Sequence, residues 1–199
     1  MNFLAHAFLS GDNPELMVGN FMGDFVKGKQ FEQFDKKIAN GILLHRLIDE
    51  YTDQHAIVSQ SKRRLSKKYR HYAGVIVDVA YDHFLAKNWE LYHKKDLLSY
   101  THWVYETLDQ YRSIFPERFG FMLSYMKRDN WLYHYSELSG INRALTGMSK
   151  RTKFNSKMEL AAADISKHYD EFEIEFKQFL PEVMSFVNDQ LKTLDKNPL

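Results

Sequence analysis

The stretch from Tyr72 to Trp89, YAGVIVDVAYDHFLAKNW, constrains the fold of this chain more than any other. Asp78 stands inside it with apolar residues on both sides (VIV before it and VAY after it), so a helix here would bury the acid. A buried carboxylate is strongly destabilising unless a positive group meets it. Asp82 follows one helical turn later on the same face, and His83 comes next. Two stacked acids on one buried face imply a cation between them.

A second apolar stretch, Gly41 to Asp53 (GILLHRLIDEYTD), repeats this pattern. His45 and Asp49 are four residues apart, which places them one turn apart on one face of a helix. A single His/Asp pair is often an ordinary ion pair, but two apolar helices that each carry such a pair predict a metal site. The candidate ligands are Asp24, His45, Asp49, Asp78, Asp82 and His83, with His6 behind them.

The candidate ligands are imidazole and carboxylate groups, and the chain has no cysteine that could add a thiolate. Such donors suit Mn²⁺, Fe²⁺, Mg²⁺ or Zn²⁺ better than soft metals. An ion of this kind lowers the pKa of a bound water molecule and clamps phosphoryl oxygens. The donor set therefore predicts the hydrolysis of a phosphoester.

The composition favours helices throughout the chain. Only four of the 199 residues are proline and nine are glycine, and no stretch alternates between apolar and polar residues as strands do. The length suits one domain that is large enough to bury a proper core. We therefore predict an all-α fold, a single-domain helical bundle that spans residues 1–199.

Particular segments give more specific predictions. Apolar residues three or four apart in Lys157–Leu194 predict one long amphipathic helix, bent at Pro181. The preceding segment, Gly147–Ser156, is predicted to be a loop. Gly19 and Gly23 are four residues apart on one face of an early helix, where another backbone can approach closely.

Charge and hydropathy limit the classes of partner. The net charge is +1, so no global field attracts nucleic acid or a membrane surface. No apolar run approaches the roughly 20 residues of a membrane-spanning helix. The absence of cysteine fits a reducing compartment, and Met1–Gly11 lacks the basic start of a signal peptide. We expect a cytoplasmic protein that binds neither nucleic acid nor membrane, and the sequence leaves its oligomeric state open.

One segment, Ser59–His71, is strongly basic and contains no acid. A charge run is usually a solvated face, and nucleic acid is a poor alternative because no binding motif accompanies it. From the residues alone, a solvated helix face remains an open interpretation of this segment. The basic residues of this segment are Lys62, Arg63, Arg64, Lys67, Lys68 and Arg70.

Four motifs give the chain a resemblance to a known family. In order along the chain they are MNFLAHAFLS, GNFMGDFVKG, GILLHRLIDEYTDQH and YAGVIVDVAYDHFLAKNW, followed more loosely by NWLYHY and GMSKR. These motifs resemble the acyl carrier protein phosphodiesterase family, also called the acyl carrier protein hydrolase family. That family is related to the HD-type metal-dependent phosphohydrolases, so the resemblance implies an all-helical, HD-domain-like fold.

The resemblance also implies an activity and a partner. The activity is the Mn²⁺-dependent hydrolysis of a phosphodiester in holo acyl carrier protein, which yields apo carrier protein and 4′-phosphopantetheine. Carrier proteins are acidic around the modified serine, so the basic segment would serve as their docking surface.

Roles for individual residues follow from the same resemblance. The residues that would hold the metal are Asp24, His45 and Asp78. Those that would orient or deprotonate the attacking water are Asp82, Asp49 and His83. Two residues would support the site from behind these groups: His6 and Arg46. Arg46 has an alternative role in a surface ion pair with Glu50, one turn further along.

Two other functions compete with this one. The first is an HD-like phosphohydrolase that acts on a nucleotide or another small phosphoester. The second is a non-catalytic helical module that binds acidic proteins through the basic segment. A stoichiometric metal ion would disfavour the non-catalytic module, and loss of the prosthetic group from holo carrier protein would identify the carrier protein as the substrate.

Overall fold

Helices account for all the regular secondary structure of the described chain. The computed structural model describes the backbone of residues 1–196 and the side chains of residues 1–194. Within that range there are α-helices and short 3₁₀ turns and no β-strand, which confirms the all-α prediction. The α-helices are α1 (Phe3–Leu9), α2 (Pro14–Phe21), α3 (Lys36–Gln54), α4 (Ala56–Tyr69), α5 (Ala73–Lys87), α6 (Leu97–Gln110), α7 (Glu117–Arg128), α8 (Trp131–His134), α9 (Leu138–Arg151), α10 (Ala161–Lys167) and α11 (Tyr169–Lys196).

Helix α5 lies at the centre because it is apolar on almost every side. Ile76, Val77 and Val79 have no exposed surface, and the helix packs against α1, α4, α9 and α11. Each fully buried aliphatic side chain stabilises the fold by about 1.5–3 kcal/mol. The buried residues form one hydrophobic cluster that includes both the start of the chain and α11.

Helices α2 and α3 pack so closely that their backbones touch. A Cβ atom added at Gly19 would lie 2.0 Å from the carbonyl oxygen of Ile38, and one added at Gly41 would lie 2.2 Å from a backbone oxygen of α2. Only glycine fits at either position, so the close approach predicted at Gly19 is confirmed. This contact brings Asn20 of α2 against His45 of α3.

The predicted single C-terminal helix is wrong. A 3₁₀ turn, Met158–Leu160, comes first, then α10, and α11 begins only after a break at His168. The break allows each helix to bury its own apolar face, with Ile165 of α10 and Phe172 of α11 both fully buried. Pro181 lies inside α11.

The loop predicted at 147–156 is half wrong: α9 continues through Gly147 to Arg151, and only residues 152–156 are irregular. Glycine lowers helix stability by about 1 kcal/mol relative to alanine. Packing of α9 against α5, α10 and the 3₁₀ turn 158–160 outweighs this local preference. Among the described helices, none is both long and apolar enough to cross a membrane.

Candidate metal centre

Three side chains from two helices converge at one point. His6 comes from α1, and His45 and Asp49 come from α3, and one donor atom from each lies within 4.8 Å of the other two. His6 Nε2 is 3.2 Å from Asp49 Oδ1, and His45 Nε2 is 3.1 Å from Asp49 Oδ2. The two imidazole rings stack with their centroids 4.1 Å apart. Both rings are buried, whereas the Asp49 side chain is 42% exposed, so the cluster opens to solvent on the Asp49 side.

A second carboxylate approaches the same cluster from the solvent side. Asp24 lies in the 3₁₀ turn Gly23–Phe25, and its Oδ1 is 3.5 Å from His45 Nε2. The approach requires glycine at position 23, because a Cβ atom there would lie 2.3 Å from Cγ of the His45 ring. The close neighbour predicted at this glycine is therefore a side chain and not another backbone. The structure therefore brings together four of the predicted site residues: His6, Asp24, His45 and Asp49.

Asn20 orients both imidazole rings. Its backbone oxygen accepts a hydrogen bond from His45 Nδ1 at 2.8 Å, and its side-chain Oδ1 is 2.7 Å from His6 Nδ1. The amide orientation is set by Nδ2, which donates to the carbonyl oxygen of His6 and to Ser10 Oγ, both at 2.9 Å. Because Oδ1 and a carbonyl oxygen can only accept, each Nδ1 carries a proton and each Nε2 faces Asp49.

The electrostatics of this cluster fit a divalent cation. Burial and the neighbouring His45 lower the pKa of His6 to about 4, so its ring is neutral and its Nε2 lone pair faces a carboxylate oxygen. His45 Nε2 is buried and makes no well-aligned hydrogen bond within the described residues, although two carboxylates lie nearby. Lone pairs and carboxylates that face one another need a positive charge between them. Nitrogen and oxygen donors suit a divalent ion such as Mn²⁺, Fe²⁺ or Zn²⁺.

In the absence of an ion, a proton supplies part of that charge. Burial disfavours the charged form of His45, but Asp24 and Asp49 outweigh it and raise its pKa to about 9. Burial also opposes charge on Asp49, yet its contacts with the two histidines hold its pKa well below the ordinary value. The close contact with the His45 ring lowers the pKa of Asp24. Both carboxylates are therefore ionised at neutral pH.

The two acids of α5 are met by the start of the chain. Asp78 Oδ1 is 2.9 Å from the amino group of Met1. Asp82 accepts three backbone N–H bonds from Asn2, Leu4 and Ala5, at 3.1, 2.8 and 3.3 Å. Asp82 thus caps helix α1, which carries His6, even though burial raises the pKa of this carboxyl to about 7. The positive groups that these two acids need come from the amino group and the helix start.

Asp78 nevertheless borders the candidate metal centre. A cavity of about 290 Å³, which we call the metal-site cavity, is lined by both Asp24 and Asp49 and also by Asp78. Burial raises the pKa of Asp78, and the Met1 amino group opposes this effect. The other residues that line the metal-site cavity are Met1, Asn2, Phe3, Thr52, Asp53, Val75 and Met148.

The structure does not bring His83 or Arg46 into the cluster. His83 Nδ1 donates to the carbonyl oxygen of Tyr135 at 2.7 Å, and its Nε2 is 2.6 Å from the hydroxyl of Tyr169. Arg46 Nη2 donates to the carbonyl oxygens of Val26 and Gly28, at 3.0 and 2.8 Å. Arg46 therefore holds the backbone that follows Asp24, and it does not form the expected pair with Glu50.

Half of the predicted docking residues are held by acids of this chain. Lys62 pairs with Asp53 at 2.6 Å and Lys68 pairs with Asp164 at 2.7 Å. Arg64 binds both oxygens of the buried Glu175, each at 2.6 Å. Three basic residues of the segment have no ion-pair partner among residues 1–194: Arg63, Lys67 and Arg70.

Sequence reasoning missed Asn20, although a signal for it existed. Asn20 stands inside the apolar run MVGNFMG of α2, which is the same kind of signal that singled out Asp78. A buried amide amid apolar residues requires hydrogen-bond partners, just as a buried acid requires a positive group. Asn20 is fully buried in the structure.

The fold and this cluster define an all-α protein with a buried His/Asp centre suited to a divalent ion. Comparisons with known proteins identify its family. The profile described as "Acyl carrier protein phosphodiesterase" matches residues 1–183. The chain belongs to the acyl carrier protein phosphodiesterase family.

Individual relatives cover almost the whole chain. A protein from Photorhabdus laumondii named acyl carrier protein phosphodiesterase is 35% identical over 92% of this chain and 93% of its own length. Proteins of the same name from Pectobacterium atrosepticum and Serratia proteamaculans are 33% and 30% identical, each over 96% of this chain and 99% of its own length. No solved structure matches the chain, so the HD-like detail of the fold stays a prediction.

Proposed function

We propose that this protein is a metal-dependent phosphodiesterase that removes 4′-phosphopantetheine from holo acyl carrier protein. The observation that carries the proposal is the convergence of His6, His45 and Asp49, with Asp24 beside them, at a cavity that opens to solvent. Membership of the family supports the substrate, because the curated relatives carry the name acyl carrier protein phosphodiesterase.

The ligand set that we propose differs from the one drawn from the resemblance. His6 joins His45 and Asp49 as a ligand, because its Nε2 lies 3.2 Å from Asp49 Oδ1 with its lone pair toward the shared point. Asp24 lies beside this set on the open side, 3.5 Å from His45 Nε2, where we assign it the role of base and not of ligand. Asp78 is a wall of the cavity, where the Met1 amino group already meets its carboxylate. Mn²⁺ remains the proposed ion because the family resemblance implies it, and nitrogen and oxygen donors suit it.

In this arrangement a bound divalent ion supplies positive charge to the phosphoryl oxygens and lowers the pKa of water. Asp24 is ionised, exposed and next to the cluster, so it can accept the proton of the attacking water. The water oxygen forms a bond to phosphorus while the bond from phosphorus to the carrier serine oxygen breaks. The serine oxygen takes a proton from solvent, which leaves apo carrier protein and 4′-phosphopantetheine.

Residues around the metal-site cavity suit docking of an acidic protein. Val75 lines this cavity and is 39% exposed, which offers an apolar contact at the mouth. The basic segment meets this cavity at Lys62, which pairs with the lining residue Asp53. Its Arg63, Lys67 and Arg70 are exposed and lack an acid partner within residues 1–194, so their charges remain available. Complementary charge of this kind raises the association rate and makes it sensitive to salt.

The test is incubation of the purified protein with Mn²⁺ and holo acyl carrier protein, followed by intact-mass measurement of the carrier protein. We expect loss of the phosphopantetheine mass, and prior treatment with a chelator should prevent this loss until Mn²⁺ is restored. His45→Asn should abolish the conversion, whereas His102→Asn is the matched control because His102 is exposed on α6.

Unchanged holo carrier protein would refute the proposed substrate. A protein that leaves the carrier intact but hydrolyses nucleotides would support the small-phosphoester alternative. A protein that binds no stoichiometric ion would favour the non-catalytic alternative.

A further inference from the structure

A second cavity, larger than the metal-site cavity, lies against helix α9. Its volume is about 500 Å³, and we call it the α9 cavity. Aromatic residues form one wall and small residues of α9 form another. Its lining residues are Asp129, Trp131, His134, Tyr135, Gly140, Arg143, Ala144, Gly147 and Arg151.

The α9 cavity adjoins the metal-site cavity. Ala144, Met148 and Arg151 are four and three residues apart, so they share one face of α9. Met148 lines the metal-site cavity, whereas the residues on either side of it along this face line the α9 cavity. Tyr135 makes a second link, because it lines the α9 cavity and its hydroxyl is 3.4 Å from Nδ2 of Asn2, which lines the metal-site cavity.

The α9 cavity combines apolar walls with free hydrogen-bond donors. Trp131 and Tyr135 provide aromatic surface, and the walls are more apolar than polar. Arg143 and Arg151 line the cavity and have no ion-pair partner within residues 1–194; the acid in the lining, Asp129, pairs with Arg128. The ring atom Nδ1 of His134 is buried and has no hydrogen-bond partner in the same described range. Such a lining suits a slender chain that carries methyl groups and carbonyl oxygens.

We propose that the α9 cavity receives the pantetheine arm of the substrate while its phosphate lies at the metal centre. The proposal rests on the proposed function, which supplies a prosthetic group of this chemistry. The arm carries geminal methyl groups, which would contact Trp131 and Tyr135. It also carries two amide carbonyls, which would accept hydrogen bonds from Arg143 and Arg151. The shared face of α9 leads from one cavity to the other, past Met148.

Gly147 offers a way to fill the α9 cavity without disturbing the fold. A Cβ atom added at Gly147 meets only one described atom within 4 Å, Nη1 of Arg151 at 3.7 Å. Gly147→Leu would therefore place its side chain in the cavity beside Arg151. Leucine has a higher helix propensity than glycine, so the variant should fold. Gly120→Leu is the matched control: Gly120 lies in α7, and no described atom lies within 4 Å of an added Cβ.

The experiment compares two probes, 4′-phosphopantetheine and inorganic phosphate, by isothermal titration calorimetry with Mn²⁺ present. We expect the native protein to bind 4′-phosphopantetheine at least about tenfold more tightly than phosphate, since the arm adds contacts that phosphate lacks. Gly147→Leu should abolish this difference and leave phosphate affinity unchanged. Gly120→Leu should retain the difference.

Equal affinity of the native protein for the two probes would overturn the inference, and so would full retention of the difference in Gly147→Leu. The intact-mass assay tests the proposed function separately. The two tests can also give different answers. If the native protein prefers 4′-phosphopantetheine, Gly147→Leu loses this preference and holo carrier protein stays intact, the arm site is supported and the proposed reaction is refuted.

Discussion

Two regions of this molecule place acids on apolar helices, and their charges are met in different ways. In the first region, Asp49 of α3 faces His6 and His45 across distances of 3.2 and 3.1 Å. In the second region, Asp82 of α5 accepts hydrogen bonds from the backbone of α1. The first region gathers two imidazole nitrogens and a carboxylate at one point, whereas the second satisfies its carboxylate with N–H groups.

This difference shows what a buried acid in a sequence does and does not reveal. Each acid needs a positive partner, Asp82 because it is fully buried and Asp49 because it faces two buried imidazole rings. The partner of Asp82 is a helix N-terminus, whose unpaired N–H groups bear partial positive charge. The partner that fits between Asp49, His6 and His45 is a cation. Asp82 serves the first region indirectly, because the helix that it caps carries His6.

Replacing each acid by its amide is the most direct test of the difference between the two regions. We expect Asp49→Asn to lower Mn²⁺ affinity more than about 100-fold. Even residues that only hydrogen-bond to a metal ligand typically change metal affinity about 10–100-fold when they are replaced. Asp82→Asn should leave the affinity close to that of the native protein, since its oxygens contact backbone N–H groups. Calorimetric titration of both variants with Mn²⁺ is the measurement, and circular dichroism checks folding. Similar losses of affinity in both variants would contradict the division into two regions.

Asn20 sharpens the comparison because it fixes the ring protons of the first region. In Asn20→Ala, His6 Nδ1 loses its acceptor, so the proton should move to Nε2 and bond to Asp49. Mn²⁺ affinity should then fall about 10–100-fold. Nitrogen NMR of the metal-free protein should show the changed tautomer at His6 only, because His45 bonds to the backbone oxygen of residue 20.

Ser10→Ala is the control for this prediction. Ser10 Oγ accepts from Asn20 Nδ2 and donates to the His6 carbonyl oxygen, but it touches neither imidazole ring. Its loss should lower stability without changing the His6 tautomer. The same tautomer in native protein and Asn20→Ala would show that Asn20 only fills space.

Metal binding should depend on pH because of His45. Its pKa is raised to about 9 in the metal-free protein, so a proton occupies this ring at neutral pH and must leave when an ion binds. Mn²⁺ affinity should therefore rise about tenfold per pH unit between pH 6 and 8, provided that one proton is released. Titration in buffers of different ionisation enthalpy counts the protons. A flat pH profile with no proton release would contradict this reasoning.

We expect the smallest effect from a substitution in the second region, which should change only the stability of the fold. Asp82→Asn replaces one accepting oxygen by an NH₂ group that faces backbone N–H donors, so we expect a loss of about 1–3 kcal/mol in the free energy of unfolding. Urea denaturation of the metal-free protein measures it. An unchanged unfolding midpoint would mean that the cap at α1 contributes little to stability.

Much of the fold followed from local patterns. The scarcity of proline and glycine, together with the helical spacing of apolar residues, correctly predicted an all-α protein. The position of Gly19 correctly predicted a close helix contact. The break at His168 and the continuation of α9 through Gly147 were not predictable in this way, because packing between distant helices overrides local preference.

The candidate site was predictable in part, for a similar reason. The pair His45 and Asp49 is visible in the sequence because both belong to one helix. The approach of His6 depends on how α1 docks, and that contact is anchored by Asp82, about 80 positions further along the chain. The role of Asn20 depends on two other helices: α3 places His45 against its backbone oxygen, and α1 places His6 against its side chain.

By itself, the sequence determined which residues must be buried, which helices carry them and that their charges need partners, because periodicity and composition act over a few turns of chain. The tertiary structure alone decided which partner each acid received. Asp82 bonds to the backbone of α1. Asp49 instead faces two imidazole rings, and the Nε2 atoms of these rings can bind an ion together with its carboxylate. The physical reason is that electrostatic partners are chosen by distances of a few ångströms between elements, and the packing of the helices sets those distances.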